Sequence, residues 1–155
     1  MGEFPHMHVT ADFEALYAYK CGEYQRCLQL STHNVRTMID GGICVPCVLA
    51  FPEFIQLMDN NISSLVGLIL TAGVNRSDME YAHHFAIAQS TLSLYLMTQC
   101  QIKLRHSVTS LAQTLGYAED LRRIPVYPRG QLTLDQLLLK LTERKISIYI
   151  MSVDR

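Results

Sequence analysis

From Ala11 to the end of the chain, apolar residues recur at steps of three and four, and that period restricts the fold more than any other feature. The clearest run is Tyr24, Cys27, Leu28, Ser31, Val35 and Met38, a single stripe along one side of a helix. The segment before it, about Ala11 to Cys21, spaces Phe13, Leu16 and Tyr17 in the same way, with Asp12 suited to a first turn. Gly22 parts the two by a link too short for anything but an antiparallel hairpin. Asp40-Gly41-Gly42 then stops the second helix.

The rest of the chain repeats the pattern with different punctuation. A loop from Gly41 to Ala50 leads to Pro52, well placed at the first position of a helix carrying Phe54, Ile55, Leu57 and Met58. After the polar break Asp59-Asn60-Asn61, a second apolar stretch runs through Ile62, Leu65, Val66, Ile69 and Leu70 to near Gly73. Ser77-x-x-Glu80 is a capping box, and it predicts a long helix to about Arg105 through Ala82, Phe85, Ala88, Leu92, Leu96 and Ile102. Ser107 caps the next segment, through Val108, Leu111 and Leu115, with Gly116 as its stop and Glu119-Asp120 as a solvated turn. Pro125, Pro128 and Gly130 mark a loop, and Thr133-x-x-Gln136 starts a last helix through Leu134, Leu137, Leu138 and Leu141. Its tail, Ile146-Ser147-Ile148-Tyr149-Ile150, alternates as a strand would but is read as a continuation of the helix. The expected class is all-α, one domain of antiparallel helical hairpins packed as a regular array or an irregular bundle.

Charge narrows the function classes. Charged residues make up 17% of the chain, below the roughly 25% of ordinary soluble proteins, so part of the surface is expected to meet a partner. With 13 basic and 14 acidic residues the net charge is −1, which offers no long-range attraction for nucleic acid or anionic lipid. The most hydrophobic window, Ile62 to Val74, falls short of the about 20 apolar residues of a membrane span. Five cysteines, an odd number, argue for a reducing, cytoplasmic setting rather than a disulfide framework. Glu3-Phe4 and His6-Met7 are what common cloning sites encode. Residues 1–7 are therefore expected to be vector-derived, His6 and His8 to belong to a tail, and residues 8–155 to be a domain excised from a larger protein.

The stretch Ala18-Tyr19-Lys20-Cys21-Gly22-Glu23-Tyr24-Gln25-Arg26-Cys27-Leu28 resembles the middle of a tetratricopeptide repeat. Gly22, Glu23 and Tyr24 stand at that family's turn, Cys27 at the small position of its second helix and Ala15 at that of its first. Small residues let the two backbones approach closely, and the tyrosine fills the gap where the helices diverge. The resemblance covers residues 11–40. Ala11 stands where the family has a large aromatic, Ile39 where it has a closing proline, and the 34-residue period does not recur. The resemblance implies stacked helix pairs whose concave face holds extended peptides or partner helices, and whose ends pair with a second copy to form a homodimer. Leu92–Met97 and Ser107–Ala112 resemble helical regions of larger multidomain proteins, which implies a scaffolding place in innate-immune signalling.

Chemistry has fewer candidates. Cys44-Val45-Pro46-Cys47 has the spacing of a thioredoxin-type motif, in which a helix N-terminus lowers the first thiol's pKa. That chemistry needs a strand leading into the motif, whereas an amphipathic helix precedes this one. A zinc site would join Cys44 and Cys47 to two of Cys21, Cys27 and His33, but no second close pair completes it. His83 and His84 are adjacent on a helix and face different ways, and His33 and His106 lie on polar or mixed faces. Phosphate-binding glycine motifs and paired carboxylates for acid–base work are absent, and the basic pairs Lys103/Arg105, Arg122-Arg123 and Arg144-Lys145 read as solvated faces. No cofactor and no catalysis are therefore expected. The expected partner is a protein or peptide held by tyrosine anchors at Tyr17, Tyr81 and Tyr95, with Tyr24 serving the interface or the core. The alternative is a helical accessory lobe of an enzyme, or a thiol-redox or zinc site at Cys44 and Cys47.

Overall fold

The structure is a computed structural model that describes residues 13–41, 47–49, 60–71, 86–124 and 133–153, and in these the three-to-four spacing becomes helix nearly everywhere. In chain order the elements are helix α1 (13–20), α2 (Tyr24–Gly41), strand β1 (Cys47–Leu49), α3 (Asn60–Thr71), β2 (Ala86–Ala88), α4 (Gln89–Lys103), α5 (Val108–Arg123) and α6 (Thr133–Val153). The domain is all-α, with one minimal antiparallel ladder that pairs Cys47 with Ala88, Val48 with Ile87 and Leu49 with Ala86.

The first turn forms as its residues dictate. Gly22 adopts φ +78°, the left-handed region that costs glycine least. Its amide bonds the Tyr19 carbonyl at 3.1 Å, and the Glu23 amide bonds the Ala18 carbonyl at 2.9 Å, which satisfies the last carbonyls of α1. After this three-residue link α2 doubles back, and Ala15, Leu16 and Ala18 of α1 enter the same core as Cys27, Leu28 and Val35 of α2.

That core is built around α4. Every residue from Gln89 to Gln101 is buried, polar and apolar alike. Among the described elements its widest contact is with α2, followed by α6, while α5 packs on both α4 and α6. The α4–α5 corner repeats the first turn without a glycine. The Arg105 amide bonds Ile102 at 3.1 Å and the His106 amide bonds Gln101 at 2.9 Å, with Arg105 itself at φ +54°. Ser107 then caps α5, accepting from the Ser110 amide at 3.2 Å. Tyr149 of α6 donates to the His106 carbonyl at 2.8 Å, and an ion pair between Arg122 and Glu143 ties α5 to α6 on the surface.

Several expectations need correction. The helix predicted from Ser77 to about Arg105 begins only at Gln89, because Ala86–Ala88 pairs as a strand and the Ala88 amide is taken by Asp135 Oδ1 at 2.9 Å. Within the segment read as the loop Gly41 to Ala50, Cys47–Leu49 is a strand. Gly116 does not end α5: the helix continues to Arg123 and carries Glu119 and Asp120, since buried Ala118 and Leu121 outweigh a glycine's cost of about 1 kcal/mol. The reading of Ile146–Ile150 as helix and the start at Thr133 agree with α6. Residues 1–12 and the helix starting at Pro52 lie outside the described residues. Among the described residues no helix is long and apolar enough to cross a membrane.

Candidate functional site

The residues that resembled a repeat motif come together at the α1–α2 turn. Ala15 and Cys27 are buried, as small packing residues should be, while Glu23 and Gly22 are exposed. Tyr24 is half-buried and its ring meets that of Tyr19 at 5.7 Å and 60°, a tilted contact that fills the mouth of the hairpin. The Tyr19 hydroxyl accepts from Gln99 Nε2 at 3.2 Å, so the turn is fastened to α4.

The outer face of α1 is different in character. Phe13 and Tyr17, one helical turn apart, remain 42% and 58% exposed although both are large and aromatic. Tyr17 lies beside Cys21; the hydrogen bond to that thiol, then the charge the thiol gains on ionising, raises the phenol's pKa, with slight burial and Glu23 adding to it. An open groove starts at the same turn, lined by Gly22, Glu23, Tyr24, Gln25, Arg26 and Leu104. An Arg26–Glu23 pair at 3.7 Å crosses its rim; both side chains are exposed, so its worth is small. A second groove follows on α2, lined by Leu28, Gln29, Thr32, His33 and Arg36.

Beneath the turn lies a buried thiol pair that the sequence reading did not bring together. Cys27 of α2 and Cys100 of α4 are both fully buried, and each thiol perturbs the ionisation of the other. Ser31 Oγ stands 3.8 Å from Cys27 Sγ. The Cys100 thiol, aided by Ser31, lowers the Cys27 pKa against the opposing effect of burial. The Cys27 thiol, then burial, then the neighbouring charge, push Cys100 far up. Cysteine spacing alone carries no signal for such a pair, since the two residues lie on helices far apart in sequence.

The other expected residues scatter. Tyr95 is not a surface anchor: it is 0% exposed, on the all-buried helix α4, and its hydroxyl accepts from Asn61 Nδ2 at 3.0 Å. Tyr81 and Cys44 lie outside the described residues. Cys47 opens β1, so strand follows the second cysteine where a thioredoxin-type motif has helix. Cys21, Cys27 and Cys100 are free thiols, and among the described residues no three His, Cys, Asp or Glu side chains cluster as metal ligands. Two further apolar exposures were not anticipated: Leu68 on α3, and Ile148, Met151 and Val153 on the last turns of α6. Comparison with family models, with curated proteins and with solved structures finds no match.

Proposed function

We propose that the chain is a protein–protein interaction module, a tetratricopeptide-like helical scaffold that holds a peptide or partner helix rather than transforming a substrate. One observation carries the reading. Phe13 and Tyr17 stand exposed on one face of α1, and an open groove begins at the Gly22–Arg26 turn that follows this helix. Aromatic side chains on a rigid helix lose little entropy on contact, and they anchor interfaces for that reason. The buried small residues Ala15 and Cys27 seat α1 and α2 in one core.

A peptide-display selection against the immobilised chain tests this. Enriched peptides should share apolar anchors and lose roughly tenfold in affinity on Tyr17→Ala, the loss of about 1.4 kcal/mol. Ile148→Ala should leave them bound. No enrichment, or enrichment indifferent to Tyr17 and Phe13, sinks the reading.

A second copy of the chain is the other partner that an observation favours. Ile148, Met151 and Val153 expose apolar surface on consecutive turns of one helix end. Light scattering across concentration should show a dimer that Ile148→Glu disperses, and a strictly monomeric chain excludes it. The free thiols of Cys21, Cys27 and Cys100 support a reducing compartment, which suits an intracellular scaffold.

A further inference from the structure

We infer that the outer face of α2 is a docking site for an acidic, extended segment of a partner protein. The inference rests on reading the chain as an interaction module and names the chemistry of what it holds. Arg26, Gln29, His33 and Arg36 are all exposed and follow one another at steps of three and four. They form one stripe on the side of α2 opposite buried Cys27, Ser31 and Val35. Two open grooves lie in succession along it. The first joins Glu23, Gln25 and Arg26 to Leu104 of the α4–α5 corner, and the second takes in Gln29, Thr32, His33 and Arg36. Exposed Lys103 and Arg105 flank Leu104 in the chain, and exposed Lys20 ends α1 just ahead of the turn. Lys20, Arg26, Arg36, Lys103 and Arg105 thus stand in the groove linings or within two residues of them. Glu23 is the one acid in either lining, and Asp40, the one acid within α2, lies a turn past Arg36. Of these five cations only Arg26 has an ion-pair partner among the described residues, Glu23 at 3.7 Å. The whole chain carries −1, so this positive excess is local.

Charge complementarity selects the occupant. From Arg26 to Arg36 a helix rises about 15 Å, the reach of roughly five residues of extended chain. Carboxylates spaced along such a segment meet Arg26 at one end and Arg36 at the other, and a guanidinium holds a carboxylate by two parallel hydrogen bonds. Between them the amides of Gln25 and Gln29 and the Thr32 hydroxyl supply donors and acceptors for the segment's backbone. Nucleic acid fits these grooves less well. Glu23 would face its phosphates, and Tyr24, whose ring is packed against Tyr19, offers bases no free platform.

The test selects a library of random peptides on the native chain in low salt and reads the acid content of the enriched pool. Aspartate and glutamate should be enriched. A synthetic peptide of the consensus should lose roughly tenfold in affinity against Arg36→Glu, and added salt should weaken it on the native chain. Arg123→Glu makes the same charge change on the exposed face of α5 and should leave binding unchanged. Should Arg36→Glu fail to fold, the native chain still decides: replacing the peptide's carboxylates by amides must cost roughly tenfold as well. Enriched peptides that are neutral, need Tyr17 and ignore Arg36 overturn this inference while the interaction-module reading stands. No enrichment at all overturns both. The inference is equally overturned if a single-stranded RNA oligonucleotide displaces the acidic peptide and itself depends on Arg36, since nucleic acid is then the occupant.

Discussion

Helices α2 and α4 touch along the widest interface among the described elements, yet they are built on different terms. The first is amphipathic: Cys27, Leu28, Ser31 and Val35 face inward, while Gln25, Arg26, Gln29 and Arg36 face water. The second has no outer face, although serine, threonine and glutamine make up half of its buried run. Its polar groups meet partners from distant segments instead. Gln99 donates to Tyr19, Gln101 accepts from Thr114 at 2.7 Å, and Tyr95 accepts from Asn61. Gln89 Oε1, Ser90 Oγ and Thr98 Oγ1 find none among the described residues. A helix's burial is thus decided by what surrounds it, and its own composition decides only what that burial costs.

The comparison can be broken most strongly in the core of α4. Leu94→Ala should lower unfolding free energy by about 2–5 kcal/mol, whereas Gln25→Ala on the open face of α2 should stay within about 0.5 kcal/mol. Urea unfolding of both variants reads the contrast, and equal effects would mean that α4 is not the centre. Next comes the start of α4. Asp135→Ala removes the acceptor of the Ala88 amide, and a cost of about 1–3 kcal/mol is expected by the same measurement. The smallest effect runs the other way. Thr98→Val replaces an unpartnered buried hydroxyl by a methyl and should raise the unfolding midpoint, worth about 1 kcal/mol. A destabilised Thr98→Val would show that the hydroxyl has a partner in solution.

The same contrast explains what could be read in advance. The stripe of α2, the Ser107 cap and the Thr133 start are local patterns, and local patterns are legible. The start of α4 was not, because Asp135 and the Cys47–Leu49 strand fix it from far along the chain. The α4–α5 corner was placed by the Ser107 cap, although its left-handed residue, Arg105, is no glycine and carries no signal of its own. At the candidate site, Tyr17 and Tyr95 have the same chemistry and helical setting, and only their neighbours separate an exposed aromatic from a core one. The packing of Cys27's helix on Cys100's was invisible for that cause as well, since which helices lie side by side is a property of topology rather than spacing.

The enclosure of α4 also sets a timetable for synthesis. Its partners are drawn from both directions along the chain, α2 before it and α5 and α6 after it. While α4 leaves the ribosome only half of its surroundings exist, and its leucines and glutamines alike must wait in water. The domain can close only when Thr133–Val153 has emerged, so a ribosome stalled short of that helix would carry an open chain rather than a smaller folded one.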